Sequence, residues 1–312
     1  MRAVMSAALA VLVVVGCGTR VEPSIGGPRP TPTPSASATP SASATAAATS
    51  SPAVTASPSS TPLATSIVSP TASASAAPSP TASAVSSASP TGSPGAQLPQ
   101  GSEPVTLDPA DFTNIIDNPY WPMAVGTEWT YREVDPDGTE VEIVVTVTAE
   151  TKTILGITAV VVHDVVTEDG ETIEDTFDWY AQDSAGNVWY LGEQTQEFSD
   201  GEVDTSGSWE AGVDSAQPGI LLPAAPAPGL TYRQEYYAGE AEDAATVLSL
   251  DERVEVAAGD YEDVLMTKEY TPLEPDILEY KFYAPGVGPV LALGVSGGAV
   301  REELTNFEPA RQ

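Results

Sequence analysis

From Glu128 onward the chain alternates apolar and polar residues with a period of two. Glu128-Trp129-Thr130-Tyr131-Arg132 is the first such run. In the next, Val141, Ile143, Val145 and Val147 alternate with Glu140, Glu142, Val144 and Thr146. Successive strand side chains point to opposite faces, so these runs predict half-buried strands. Gly156 breaks the pattern before Ile157 to Thr167, and Thr172 to Tyr180 resumes it. Asp137-Gly138, Asp169-Gly170 and Asp200-Gly201 fall between runs, the last between short strands around Phe198 and Val203. Asp-Gly suits a tight hairpin turn because both residues tolerate positive φ. Ahead of the strands, Asp108-Pro109 predicts one capped helical turn with Phe112, Ile115 and Ile116 as its apolar face. Asn118-Pro119 and Trp121-Pro122 force extended backbone after it. About fourteen short strands with hardly any helix define an all-β, antiparallel fold class, with sheet or sheets curved into a half-barrel or barrel-like form.

The run Asp178 to Gly192, DWYAQDSAGNVWYLG, reads as strand, glycine turn and strand, and it returns as Glu279 to Leu293, EYKFYAPGVGPVLAL. Gly156 and Gly259, Val161-Val162 and Val264-Leu265, and Tyr180 and Tyr283 all stand 103 residues apart. Gly229-Leu230-Thr231-Tyr232 answers the segment beginning at Gly126, and Gly297-Gly298 makes a closing hairpin where the first copy has Asp200-Gly201. The expectation is two tandem β-meander units, about 118–206 and 229–305. The linker 207–228 is rich in proline and carries Trp209 and Ile220-Leu221-Leu222. It either packs back on the sheet or covers something as a lid.

Composition divides the chain at about residue 100. Arg2, Arg20 and Arg29 are the basic residues before that point and Glu22 is the acidic one. Of 11 basic and 44 acidic residues, this leaves eight and 43 in 101–312, a net charge of −35. Such a domain repels nucleic acid and anionic membrane surfaces. Arg2 precedes an apolar run from Val4 to Val15, too short to span a bilayer, which takes about 20 residues. Val14-Val15-Gly16-Cys17 resembles a bacterial lipobox, which implies a signal peptide over 1–16 and a lipid on Cys17, the single cysteine. Residues 17–100 are mostly Pro, Ser, Thr, Ala and Gly and lack the apolar side chains that would offset chain ordering, which predicts a disordered stalk. As a flexible coil it would span roughly 50 Å, and fully extended about 250 Å. Its composition also suits O-glycosylation.

YAQDSAGNVWYLGE and FYAPGVG resemble strings in a family of uncharacterised bacterial secreted lipoproteins, over roughly residues 118–305. That resemblance implies location and tethering but no activity. A looser likeness is to the half-barrel sheets of lipoprotein carriers, whose helical lid segments this chain lacks.

Candidate chemistry is sparse. His163 is the single histidine and Cys17 is taken by the anchor, so a zinc or copper site of nitrogen and sulfur ligands has no ligand set. Calcium needs only oxygens, and the acidic turns Asp135–Glu140 and Asp183–Asn187 are the places for it, although hairpin connections explain both. No cofactor is otherwise expected. Gly294-Val295-Ser296-Gly297-Gly298 matches a nucleophile-elbow string but has no histidine downstream. His163 shares a strand face with Val161 and Val165 and has no nucleophile partner. Asp175, Asp178 and Glu193 are the candidates for a carboxylate-based hydrolase. Trp179, Tyr180, Trp189 and Tyr190 place rings on both faces of adjacent strands; one face must be core, and the other could be a ligand platform covered by Trp209 and Leu221. The expected function is therefore a non-catalytic, extracytoplasmic lipoprotein held in the cell membrane. Its β domain would bind a cell-wall glycan, an envelope protein or an apolar ligand. A purely structural protein with every ring buried is the alternative.

Overall fold

The computed structural model describes residues 98–297 and 299–311. The leader, Cys17, the stalk as far as Gln97, and Gly298 lie outside the described residues. The chain is already packed at Leu98–Gln100, since Pro99 is buried and its carbonyl accepts the Arg233 N–H at 2.7 Å.

A single 3-10 turn, Pro109–Asp111, is capped by Asp108, whose carboxylate accepts the Ala110 N–H at 3.0 Å. The predicted apolar face of that turn is not there. The helix stops at Asp111, Phe112 enters a strand, and Ile115 is 67% exposed while Ile116 is buried. Sixteen strands make up the rest: β1 Phe112–Thr113, β2 Glu128–Val134, β3 Glu140–Ile154, β4 Ile157–Glu168, β5 Glu171–Asp183, β6 Val188–Ser199, β7 Glu202–Asp204, β8 Trp209–Glu210, β9 Gln217–Leu222, β10 Thr231–Arg233, β11 Glu235–Tyr236, β12 Ala244–Val256, β13 Gly259–Tyr270, β14 Leu278–Ala284, β15 Gly288–Ser296 and β16 Arg301–Glu308. Asp169-Gly170 and Asp200-Gly201 take positive φ at both residues, the geometry a two-residue hairpin needs.

All sixteen strands belong to one sheet, and thirteen follow a single path, β10-β12-β13-β14-β15-β16-β2-β3-β4-β5-β6-β9-β11, which curls into a nearly closed barrel. Two antiparallel meanders, β2–β6 and β12–β16, join where β16 pairs with β2, Leu304 facing Tyr131 and Glu302 facing Glu133. Each opens on the same turn: the Gly126 N–H bonds Val147 O and the Gly229 N–H bonds Val247 O, both at 2.8 Å. The registers differ further in, since Tyr180 faces Val160 whereas Tyr283 faces Leu265. The segment 217–222, expected as linker or lid, is strand β9 and lies against β6, with Val188 facing Leu222. Pro218 fits because β9 lies next to the end of the sheet, where its neighbour β11 is only two residues long.

The sheet's two ends are consecutive in the chain. β10 ends the path on one side and β11 on the other, with Gln234 between them. The Arg233 guanidinium reaches across the seam to Pro218 O at 2.8 Å. Gly219 leaves room for the crossing, because a Cβ there would stand 2.1 Å from Gln234 O.

Inside the barrel, alternate residues change character along several of the long strands, in the same direction. β2 runs from Trp129 and Tyr131 to Glu133, β14 from Tyr283 through Lys281 to Glu279, and β5 from Tyr180 through Asp178 to Glu174. One end of the interior is therefore aromatic and the other carboxylic. Trp121 plugs the aromatic end, packing against Trp129, Tyr180 and Tyr283 at 6.5, 5.9 and 6.2 Å between ring centres. Burying a side chain of this size contributes roughly 3 kcal/mol.

Gly219→Ala is expected to cost about 1–3 kcal/mol in urea unfolding, because the added methyl meets backbone rather than a movable side chain. Val203→Ala, on an exposed position of β7, is expected to change stability by less than about 0.5 kcal/mol.

Candidate functional site

Two features could carry function: the carboxyl tier inside the barrel, and a cleft at its aromatic rim. The tier is densest where β5, β6 and the seam meet. Asp178 and Glu193 are direct cross-strand partners, and Trp209 on β8 pairs with Glu193. A bulge at Gly192, with φ of 126°, realigns β6 so that Tyr190 also faces inward, opposite Tyr180. The two phenol rings stack at 5.0 Å, and Trp209 meets Tyr190 edge-on at 5.3 Å. The Tyr190 hydroxyl donates to Asp178 at 2.8 Å. Glu235 on β11 completes the group.

Burial dominates the electrostatics. It pushes the Asp178 carboxyl up to about 7, against the Tyr190 hydroxyl bond, and Glu174 reinforces the rise. Glu193 is raised well above the carboxylate range by burial and then by Asp178 and Glu235. Glu235 is raised well above it by burial and then Asp243. The Trp209 indole N–H favours the ionised Glu235 but stops short of hydrogen-bond geometry. Asp243 and Glu133 are pushed up to about 8, chiefly by burial. Two cations are buried among the described residues. Lys281 lies 3.1 Å from Glu269 and 3.7 Å from Glu279. Burial disfavours its ammonium, but Glu269 and Glu279 outweigh that and raise its pKa. Arg233 spends its guanidinium on carbonyl oxygens instead. Asp178, Glu193 and Glu235 are thus stable inside the barrel mainly as protonated acids.

The rim cleft has a volume of about 1040 Å³. One wall is the lead-in segment from Leu98 to Phe112, with Val105 and Leu107 turned inward; the other is the β5–β6 turn and the chain before β10. Glu103, Asp108, Asp111 and Asp183 line it, and among the described residues no Lys or Arg does.

The rings singled out in the sequence do not make an open platform, since all five are at most 7% exposed. Tyr180, Tyr190 and Trp209 face the interior. Trp179 faces outward under the Lys152 ammonium, 3.2 Å from the ring centre, and Lys152 is held by Glu210 at 2.7 Å. Trp189 also faces outward, meets Phe112 edge-on at 6.0 Å and reaches the cleft lining. Leu221 is buried in β9 rather than lying over a ligand. The proposed carboxylate trio is divided. Asp178 and Glu193 converge, whereas Asp175 turns outward to His163, 2.8 Å away, and His163 stacks on Phe177 at 4.3 Å. Ser296 donates to Asp276 O at 2.6 Å. In the turn 183–187 the Asp183 carboxylate accepts from Ala185 N, Asn187 N, Asn187 Nδ2 and Trp189 Nε1, so its oxygens are already occupied. Among the described residues no three His, Cys, Asp or Glu side chains stand together as a metal site. Sequence reasoning missed Glu235, Asp243, Arg233 and Trp121. Glu235 and Arg233 sit on strands too short to show a period, Asp243 lies just ahead of β12, and Trp121 lies in a proline-bracketed segment.

No protein-family model and no curated protein matches the sequence. Two solved structures are similar. One is a protein of Bacteroides fragilis predicted to be exported, with a YmcC-like fold, at 16% identity and a TM-score of 0.34, covering 61% of this chain and 99% of that one. The other is a predicted lipoprotein of Parabacteroides distasonis, at 12% identity and a TM-score of 0.33, covering 61% and 98%. TM-scores below 0.5 do not establish a shared fold.

The raised interior carboxyls predict a pH-dependent stability. Between about pH 4.5 and 8 the folded state keeps protons that the unfolded chain has released, so stability falls as pH rises. Urea unfolding is expected to show a loss on the order of a few kcal/mol from pH 5 to pH 8.5. Asp178→Asn, which keeps an acceptor for Tyr190, should make the loss smaller by its own share. A stability that rises over that range would contradict the interior described above.

Proposed function

We propose that this chain is an extracytoplasmic membrane lipoprotein that presents a non-catalytic β-barrel on a long stalk, and that the rim cleft is its ligand seat. The lipobox-like VVGC string, the short apolar run and the Pro/Ser/Thr stalk support the anchoring and the location. The cleft is the observation that carries the binding part. Its volume is at the upper end of the range for small-molecule sites, and it combines apolar wall residues with a few polar groups. With carboxylates and no cation on its lining, it favours a neutral or cationic ligand with apolar surface and disfavours anions. An uncharged stretch of cell-wall glycan or a basic segment of an envelope protein has that chemistry.

The hydrolase reading has one observation in its favour, the converging pair Asp178 and Glu193 with raised proton affinity. Those side chains are 1% and 3% exposed behind Trp209 and the seam, whereas glycoside hydrolysis needs both acids open to substrate. The cleft has access and the pair does not, which favours binding.

Two measurements test the proposal on the full chain. Cys17→Ser should move the protein from the membrane fraction to the soluble fraction of a bacterial host. Leu107→Arg, at a half-buried wall position, should weaken binding of cell-wall glycan fragments or envelope-protein peptides at least tenfold by calorimetry, with the thermal midpoint unchanged. Binding that ignores the blocked cleft would remove it as the seat.

A further inference from the structure

We propose that the barrel seam is a pH-operated anchor for the wall of the rim cleft, with Glu235 as the group that operates it. The functional consequence rests on the cleft being the ligand seat; the opening itself does not. Three observations lead to it, on the inner face of the seam, in the seam and on its outer face.

The inner face carries a carboxyl with no means of holding a charge. Glu235 is 0% exposed, and neither of its oxygens has a hydrogen-bond partner among the described residues. The groups that face it are Asp243 from the approach to β12, Asp178 from β5 and Glu193 from β6. The Tyr180 and Tyr190 hydroxyls look into the same space. Among the described residues, the Trp209 N–H and the Lys281 ammonium, which Glu269 and Glu279 already engage, stand on the favourable side. Deprotonation therefore places a charge beside other carboxyls with little compensation.

The seam is also the least cohesive part of the wall. β10 has three residues and β11 two, against seven to fifteen for β2–β6. Few ladder bonds resist separation there, and short, weakly bonded elements open first.

The outer face connects this to the cleft. The wall from Pro99 to Val105 hangs on seam residues. The Arg233 N–H bonds Pro99 O, its guanidinium bonds the carbonyls of Gly101 and Glu103, and Gln100 Nε2 donates to Thr231 O. The Val105 N–H reaches Gln217 Oε1 on β9 at 3.1 Å. A seam that parts takes that wall with it. The cleft wall is thus held in place while Glu235 keeps its proton and loosens as rising pH removes it, and Asp178, at about 7, and Asp243, at about 8, add charge beside it as they ionise.

Hydrogen exchange of the full chain, followed by mass spectrometry from pH 5.5 to 8.5 and corrected for the intrinsic rise in exchange rate, tests this without any ligand. Peptides covering 98–106 and 229–237 should lose at least tenfold protection between pH 6 and 8.5, while peptides of β3 and β4 keep theirs. In Glu235→Gln the same peptides should be insensitive to pH; Asp243→Asn, which removes the strongest repelling charge, should make the loss of protection smaller and serves if the first variant does not fold. The proposal is overturned if corrected protection at the seam is independent of pH, if it falls equally in Glu235→Gln, or if protection is lost across the whole barrel at once. Failure of ligand binding, by contrast, would leave this result untouched and count against the cleft alone.

Discussion

A sheet that curls on itself must bring two unlike edges together, and here one arginine and one glycine make that possible. The end strands are too short to complete a ladder, so the carbonyl at the junction is met by the Arg233 side chain instead of a backbone amide. Gly219 lets the chain pass close enough for that bond to form. Unpaired backbone at a buried edge would cost about 1–3 kcal/mol per group, and an open edge invites association with other chains. The closure also fixes what lies inside, because the inward set of every strand is determined once the ends are joined.

A barrel of this many strands encloses more volume than aliphatic side chains fill, and the two ends meet that demand differently. The aromatic end uses large rings contributed by both meanders, with Trp121 from the lead-in segment packed among them. Hydrogen bonds from Trp129 Nε1 to Val287 O at 2.8 Å and from Tyr131 to Pro289 O at 3.1 Å tie the first meander to the second there. The other end is filled by carboxyls, which pack as neutral acids and repel as anions. One half of the interior is thus indifferent to pH and the other depends on it.

Much of this architecture can be read in the sequence, for identifiable reasons. Strands exposed on one face, such as Glu140 to Thr146, announce themselves by alternation, and Asp-Gly pairs mark their hairpins. Where both faces are buried the alternation carries no information. Trp179-Tyr180 and Trp189-Tyr190 therefore look like a platform, although Lys152 and Phe112 cover the outer rings. Pro218 hides β9, because proline is excluded from interior strands but tolerated next to an edge. Acidic residues are the largest source of misreading: a carboxylate in a sequence looks solvated, and only register shows that Asp178, Glu193 and Glu302 point inward.

That misreading bears on the charge as well. The formal value of −33 assumes that every carboxyl is ionised at pH 7. Asp178 and Glu174, at about 7, are then near half-protonated, and Glu133 and Asp243, at about 8, are mostly neutral. Burial also raises Glu193, Glu235 and Glu302 well above the ordinary carboxylate range. The folded domain therefore repels itself and its surroundings less than its composition implies, and the missing charge is concentrated in the interior rather than spread over the surface. Outside, the carboxylates that remain ionised keep the domain soluble and turn anions away from the cleft. Inside, the same residue type contributes packing only as long as it keeps its proton, which makes the protonation state of a few acids a condition for the barrel staying closed.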